Sequence, residues 1–295
     1  MRMAVEDVVV RGVVPDRPIR AFACTTTGVV NALQQVHRSW PVATAALGRT
    51  VSVGAMMAMQ LKANERLTLQ VDGDGPLGRI VVDADAAGHV RGYVQNPHVH
   101  LPLNALGKLD VGGAVGRGML YVMRDMGLRD VYRGSVELQT GEIGDDFTYY
   151  FAVSEQTPSA VGAGVLVDTD HSVLAAGGFI VQLMPGHTEE DVAALEARLA
   201  GLASVTDQMM AGATAEDLMR RVLPEVRVLE RRPLEYRCTC ERERIRLVLK
   251  SLGRAELESM IREQGGAEVV CHFCNTRYAF TKEELAALMP EEERG

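Results

Sequence analysis

Two closely spaced cysteine pairs near the end of the sequence constrain this chain more than any other feature. Cys238 and Cys240 are separated by one residue, and after thirty further residues Cys271 and Cys274 are separated by two. Four thiolates suit a tetrahedral zinc site, because sulfur is a soft ligand. The second pair has ordinary zinc spacing, whereas the first pair is shorter than usual. We therefore expect a small metal-dependent module in this part of the chain.

Three interpretations of the four cysteines remain open from their spacing. They form a structural zinc site, two redox-active pairs, or two structural disulfides. The first two are compatible, because zinc holds its sulfur ligands as thiolates and oxidants attack thiolates. The fifth cysteine, Cys24, lies alone in an apolar predicted strand, and we expect it to be buried in the core.

Composition excludes some classes of protein. Glu6, Asp7 and Arg11 interrupt the apolar residues at the start of the sequence, and no run of about 18 apolar residues could span a membrane. We therefore expect a cytoplasmic protein, in whose reducing surroundings structural disulfides are disfavoured. A net charge of −8 and an aromatic content of 5% argue against nucleic-acid binding.

The pattern along the chain predicts an α+β fold in three parts. Residues 1–185 alternate between strand-like and helix-like segments, with helices predicted at 31–40 and 42–62, and form a mixed sheet-and-helix core domain. Residues 186–232 form a helical linker. The remaining residues, 233–295, form a small zinc-binding domain.

The predicted linker has well-marked helix starts but few apolar positions. Thr188 and Thr214 each precede acidic residues in the arrangement of a capping box. In the last part, we predict helices at 241–252 and 255–264, a short strand at 268–270, and a final helix capped by Thr281.

No catalytic constellation is visible, so we do not expect an enzyme. The glycines at 112–118 and 162–164 match neither a dinucleotide-binding fingerprint nor a phosphate-binding loop, and indicate turns or tight backbone. His98 and His100 lack a nearby partner and are typical of a loop. We expect His272 to lie at the surface or beside the four sulfurs. Two alternatives stay open, an enzyme and a nucleic-acid-binding protein, each with a purely structural zinc site.

The sequence around the cysteines resembles the redox-switch domain of the 33 kDa chaperonin family, whose members are zinc-bound, oxidation-activated bacterial holdase chaperones. The resemblance continues upstream and covers nearly the whole chain. One departure is Glu241, where many members have serine. The segments that carry the resemblance are EYRCTC (235–240), ER (243–244), LKSLG (249–253), CHFCN (271–275), RDMG (124–127), SEQTPSA (154–160) and GGFIVQLMPG (177–186).

The resemblance implies a function and a set of site residues. It implies a holdase that binds unfolding proteins and prevents their aggregation under oxidative stress. Cys238, Cys240, Cys271 and Cys274 would bind one zinc ion per chain in the reduced state. On oxidation they would form the disulfides Cys238–Cys240 and Cys271–Cys274 and release the zinc. The linker would then bind client proteins, and the chain would form a homodimer.

Overall fold

The fold is α+β, as the sequence predicts, and is described from a computed structural model over residues 6–127 and 131–289. The chain separates into two compact units, of which the first ends at Arg237 and the second begins at Cys238. The strands of the first unit are β1 (Val8–Val13), β2 (Ile19–Thr25), β3 (Arg66–Gly73), β4 (Arg79–Asp85), β5 (His89–Val94), β6 (Gly118–Asp125), β7 (Tyr132–Glu137), β8 (Ser159–Val167), β9 (Val173–Leu183), β10 (Arg227–Pro233) and β11 (Glu235–Tyr236).

These strands form two sheets. The first has the order β10-β1-β2-β9-β8 and is antiparallel throughout, whereas the second has the order β11-β5-β4-β3-β6-β7, in which only β11 is parallel to its neighbour. The helices of this unit are α1 (Thr27–His37), α2 (Pro41–Ala58), α3 (Val111–Val115), α4 (Ile143–Val153), α5 (Glu189–Ala200), α6 (Val205–Met210) and α7 (Ala215–Val222). No helix in the described part of the chain is both long and apolar enough to cross a membrane.

Helix α2 lies at the centre of the main core and packs against strands of both sheets. Its small residues permit this, because a Cβ atom on Gly48 would lie only 2.7 Å from Val30 and 2.8 Å from Val165. The helix predicted at 42–62 ends earlier, at Ala58. The helix predicted at 31–40 begins earlier, because the distant Asp7 carboxylate accepts the backbone hydrogen bonds of its first turn, from Gly28 and Val29.

Residues 186–232 contain the three helices α5, α6 and α7, followed by the start of strand β10. The helices pack on the first sheet around a second core, to which Leu195, Val205, Leu218 and Val222 contribute. No strand was predicted at 227–233. Every second residue of β10 is exposed, so its sequence is polar, and its hydrogen-bonding partner β1 lies more than 200 residues earlier.

The second unit has a small core of its own. It contains α8 (Arg242–Ser251), α9 (Arg254–Gln264), β12 (Gly266–Val270), β13 (Arg277–Thr281) and α10 (Lys282–Ala286). The three predicted helices are confirmed, and Thr281 caps α10 with a capping box. Strand β13 was not predicted; it pairs with β12 in an antiparallel hairpin. The buried core residues are Leu249, Leu257, Phe280, Leu285 and Leu288.

Candidate metal centre

The four paired cysteines lie together in the second unit. Their sulfur atoms are all within 4.8 Å of one another. The Sγ atoms of Cys238 and Cys271 are 3.8 Å apart, and those of Cys240 and Cys274 are 3.2 Å apart. All are free thiols and all are partly buried. Each of these two contacts joins a cysteine of one pair to a cysteine of the other.

A hairpin and a short extended segment position the sulfurs. Cys271 and Cys274 occupy the turn between β12 and β13, where the backbone N–H of Cys271 donates to the carbonyl of Thr276 and that of Asn275 donates to the carbonyl of Cys271. Asn275 has a φ of 56°, a left-handed conformation that asparagine tolerates better than most residues. Cys238 and Cys240 lie in the segment just before α8.

The arrangement fits a tetrahedral metal ion. With Zn–S bonds of about 2.3 Å, the edges of a regular ZnS₄ tetrahedron are about 3.8 Å long. The Cys238–Cys271 separation of 3.8 Å equals that edge, and no separation between the four sulfurs exceeds it by more than 1 Å. Within residues 6–127 and 131–289, no other group of three or more His, Cys, Asp or Glu side chains is arranged to hold a metal. The four cysteines therefore form a site that can bind a metal ion.

Without a bound cation, the thiols of Cys240, Cys271 and Cys274 differ in pKa. Burial raises the pKa of Cys240 to about 12 and also raises the pKa of Cys271. Burial is the largest single influence on Cys274 too and raises its pKa, but hydrogen bonds with Thr276, Cys240 and Cys238 together outweigh burial and lower the pKa of this thiol to about 7. A metal ion must therefore overcome the burial of at least two thiols to bind all four sulfurs as thiolates.

Two neighbours of the sulfurs were not singled out from the sequence. The hydroxyl of Tyr278 donates to both the Sγ atom and the carbonyl oxygen of Cys240, at 3.2 Å each, and the Oγ1 atom of Thr276 lies 3.1 Å from the Sγ atom of Cys274. Both residues follow Cys274 within four positions, on the second strand of the hairpin or just before it. The hairpin signal that would have identified them was missed together with β13.

The other candidate residues, except His272, lie apart from this cluster. Cys24 is fully buried in the main core, as predicted, and its thiol donates to the carbonyl of Ser52. His98 lies in a loop, with its ring 5.9 Å from that of Trp40, and His100 is exposed in the same loop. His272 is exposed within the cysteine turn.

Comparison with known proteins places the chain in a family. The model of the Hsp33 protein family matches residues 7–281. The chain belongs to the Hsp33 protein family. It is 48% identical over 290 residues to the 33 kDa chaperonin of Bacillus subtilis (strain 168), covering 98% of this chain and all of the relative. It is 50% identical over 285 residues to that of Geobacillus sp. (strain WCH70), covering 96% and 97%.

A solved structure agrees with this assignment. The crystal structure of the Thermotoga maritima 33 kDa chaperonin, a heat shock protein 33 homolog, superimposes with a TM-score of 0.89 at 40% sequence identity. The match covers 96% of this chain and 97% of the other. The similarity therefore extends through both units, and the cysteine cluster is part of a family fold.

The upstream family segments form polar networks of the first unit. In one of them, the carboxylate of Glu155 accepts hydrogen bonds from Arg124 at 2.9 Å and from Tyr150 at 2.8 Å. In another, Arg20 donates to Gln182, which in turn donates to Ser159. These hydrogen bonds join β2, β6, α4, β8 and β9 and so help to hold the first unit together.

Proposed function

We propose that this chain is a redox-regulated holdase chaperone that binds unfolding proteins and prevents their aggregation under oxidative stress. The observation that carries the proposal is the cluster of four free thiols in a unit whose described residues, 238–289, include five buried apolar core residues. Membership of a family whose relatives are named 33 kDa chaperonin favours this function over an enzyme or a nucleic-acid-binding protein. We assign the protein to the cytoplasm, where thiols are kept reduced.

In the reduced state, Cys238, Cys240, Cys271 and Cys274 would hold one zinc ion per chain. Zinc, when bound, supplies the cation that keeps the four sulfurs together as thiolates. Structural zinc contributes roughly 10–16 kcal/mol of apparent binding free energy in small zinc peptides. Whole domains are stable by only about 5–15 kcal/mol. The folding of the second unit therefore depends on these four ligands.

Oxidation converts the cysteines from ligands into disulfides. Two thiols lose two electrons and two protons to hydrogen peroxide, which is reduced to two water molecules as one S–S bond forms. We propose the pairs Cys238–Cys240 and Cys271–Cys274. Each disulfide removes two of the four thiolate ligands, so zinc is released and the second unit loses most of its stability.

Client binding is assigned to residues 186–232, within the proposed organisation of a core (1–185), a linker (186–232) and a redox switch (233–295). Helices α5, α6 and α7 are 12, 6 and 8 residues long, and isolated helices this short are marginal in water. When they detach from the first sheet, their buried Leu195, Val205 and Leu218 become exposed. We propose that the oxidised chain forms a homodimer and acts without ATP.

The zinc content of the native chain and of two variants tests the metal site of this proposal. Protein purified with reductant should contain one zinc ion per chain, and the double variant Cys271→Ser/Cys274→Ser should contain little or none. The variant Cys24→Ala removes a cysteine outside the cluster and should keep its zinc. Full zinc retention in the double variant, or no zinc in the native chain, would contradict the metal site.

A further inference from the structure

Strand β8 forms one edge of the first sheet and pairs only with β9. The backbone N–H of Val161 does not point to β9, because it donates to the hydroxyl of Thr148 on α4. In an antiparallel pair, every second residue points its N–H and C=O away from the partner. Ala163 and Val165 therefore also direct these groups outward, away from the sheet.

Helix α4 does not extend to the second half of this edge. Among the residues that the structure describes, none forms a hydrogen bond with the outward N–H or C=O of Ala163 or Val165. Such groups are normally paired with backbone, side chains or water. The edge of β8 from 163 to 165 thus offers two donors and two acceptors in the geometry of an incomplete sheet.

A cavity of about 640 Å³ opens beside this edge. Residues 162–167 of β8 line it on one side. Its apolar walls come from the loop that contains Leu103 and Leu109, and from Leu199, Leu202 and Val205 around the end of α5 and the start of α6. The edge is therefore recessed between two walls, and the walls provide surfaces for side chains above and below a strand placed there.

We propose that this groove binds one short, extended, mainly apolar polypeptide segment, which adds a strand to the edge of β8. The inference rests on the proposed function, because unfolding client proteins supply such segments. Backbone hydrogen bonds to Ala163 and Val165 hold the segment regardless of its sequence, and the apolar walls accept its alternating side chains. The cysteines of this structure are free thiols, so the groove belongs to the reduced chain, in which α5 and α6 are packed on the first sheet. One short segment bound there leaves the rest of an unfolding client exposed, so this contact alone suppresses aggregation poorly.

The charge and shape of the groove favour an uncharged polypeptide segment over nucleic acid or a second copy of the chain. Arg49 in the cavity wall is paired with Glu142, and the remaining charged side chains of the wall, Lys108 and Asp207, have opposite signs. A wall without net charge suits a segment without net charge and disfavours nucleic acid. A second copy of β8 carries the same flanking walls, so two recessed edges cannot approach each other closely enough to pair.

Hydrogen exchange tests the contact directly on the native chain. The probe is a fluorescent seven-residue peptide of alternating threonine and valine with blocked ends, added to zinc-loaded protein in reductant. The amides of Ala163 and Val165 should exchange more slowly with the peptide bound. The amide of Val161, which already donates to Thr148, is the internal control and should not change. The same peptide with N-methyl groups on its three central residues should neither bind nor protect.

A pair of variants tests the same contact by affinity. Ala163→Pro removes the outward N–H without removing a hydrogen bond to β9, and proline is tolerated at such edge positions. It should weaken peptide binding about fivefold to tenfold, the loss expected for a hydrogen bond. Ala163→Val keeps the N–H at the same position. Its affinity for the peptide should lie within about twofold of the native affinity, a smaller change than the loss of one hydrogen bond causes.

Three results would contradict the proposal that this groove binds a peptide strand. They are equal affinity of the two Ala163 variants, binding of the N-methylated peptide, or protection of Ala163 and Val165 that appears without peptide as the protein concentration rises. The last result would assign the edge to a second copy of the chain. Because binding is measured in the reduced state, its failure leaves oxidative activation untouched. Conversely, a failure of peroxide to activate the chain would not alter peptide binding in reductant.

Discussion

At the scale of single residues, the cluster depends on side chains beyond the four cysteines. Tyr278 donates a hydrogen bond to the sulfur of Cys240, and this contact raises the pKa of the tyrosine to about 12. The hydroxyl therefore stays protonated at neutral pH and remains a donor. Residues that hydrogen-bond to metal ligands orient them, and their loss typically lowers metal affinity 10–100-fold.

Tyr278→Phe should lower zinc affinity about tenfold in reducing buffer, because it removes the donor to Cys240 and keeps the ring. Competition with a chromophoric chelator measures this. Tyr149→Phe, at a half-exposed tyrosine of α4 in the first unit, is the matched control and should bind zinc as the native chain does. Unchanged affinity in Tyr278→Phe would show that this hydroxyl does not support the site.

The order of disulfide formation also belongs to this scale. Cys271 and Cys274 are separated by two residues, a spacing at which a disulfide closes with tolerable geometry, whereas the single residue between Cys238 and Cys240 requires a tighter ring. We expect Cys271–Cys274 to form first under mild peroxide. Thiol trapping with mass mapping over a time course measures the order, and early formation of Cys238–Cys240 would contradict it.

At the scale of helices and strands, features set by the local sequence were predicted well. Features set by partners distant in the sequence were missed. Thr188, Thr214 and Thr281 each begin a helix with a capping box, as their sequence context indicates. Strand β10 was missed because its hydrogen bonds come from β1, more than 200 residues earlier. The start of α1 was missed because its cap is the carboxylate of Asp7, which lies in another part of the chain. Such pairings have no signature in the local sequence.

The difference between local and distant partners also decides which parts of the site could be predicted from the sequence. The four cysteines could be identified from their spacing because two ligands close in sequence chelate one ion. Tyr278 could not, since its role depends on β13 folding back beside β12. The edge of β8 was not identified from the sequence either, because alanine and glycine weaken the strand pattern where the strand begins, at Ser159.

The capping boxes predict sensitivity to acid in the helical segment 186–232. The pKa of Asp191 is lowered by the backbone N–H of Thr188 and by the Arg17 guanidinium, and that of Asp217 by the hydroxyl and backbone of Thr214. A carboxyl whose pKa is lower when folded stabilises the fold above its unfolded pKa of about 3.9, and this contribution is lost as the pH falls below that value.

Helices α5 and α7 should therefore lose protection from hydrogen exchange as the pH falls below about 4, because Asp191 and Asp217 then bind protons more tightly in the unfolded chain than in the folded one. The double variant Asp191→Asn/Asp217→Asn should be less stable at neutral pH and show a smaller loss over the same range. An equally steep loss in the double variant would assign the acid sensitivity to other groups.

At the scale of the whole molecule, the two units have separate cores of very different size. The first unit contains two extensive buried clusters, whereas the described part of the second, residues 238–289, has five buried apolar residues. A core this small gives little stability unless a metal ion bound by the cysteines adds to it. Chelation of zinc should therefore remove hydrogen-exchange protection from residues 238–289 and leave strands β2 and β9 protected. If both units lost protection equally, or if neither lost it, the independent stability of the two cores would be contradicted.

The central claim is that oxidation of the four cysteines produces chaperone activity, and light scattering of an aggregating client protein tests it most directly. Zinc-loaded chain kept in reductant should suppress the scattering poorly, and the same chain after peroxide treatment should suppress it strongly. Cys24→Ala should behave like the native chain, whereas Cys271→Ser/Cys274→Ser should show no increase on peroxide treatment beyond its starting level. Equal suppression by the reduced and oxidised native chain would contradict the account and leave the cysteine cluster a purely structural metal site.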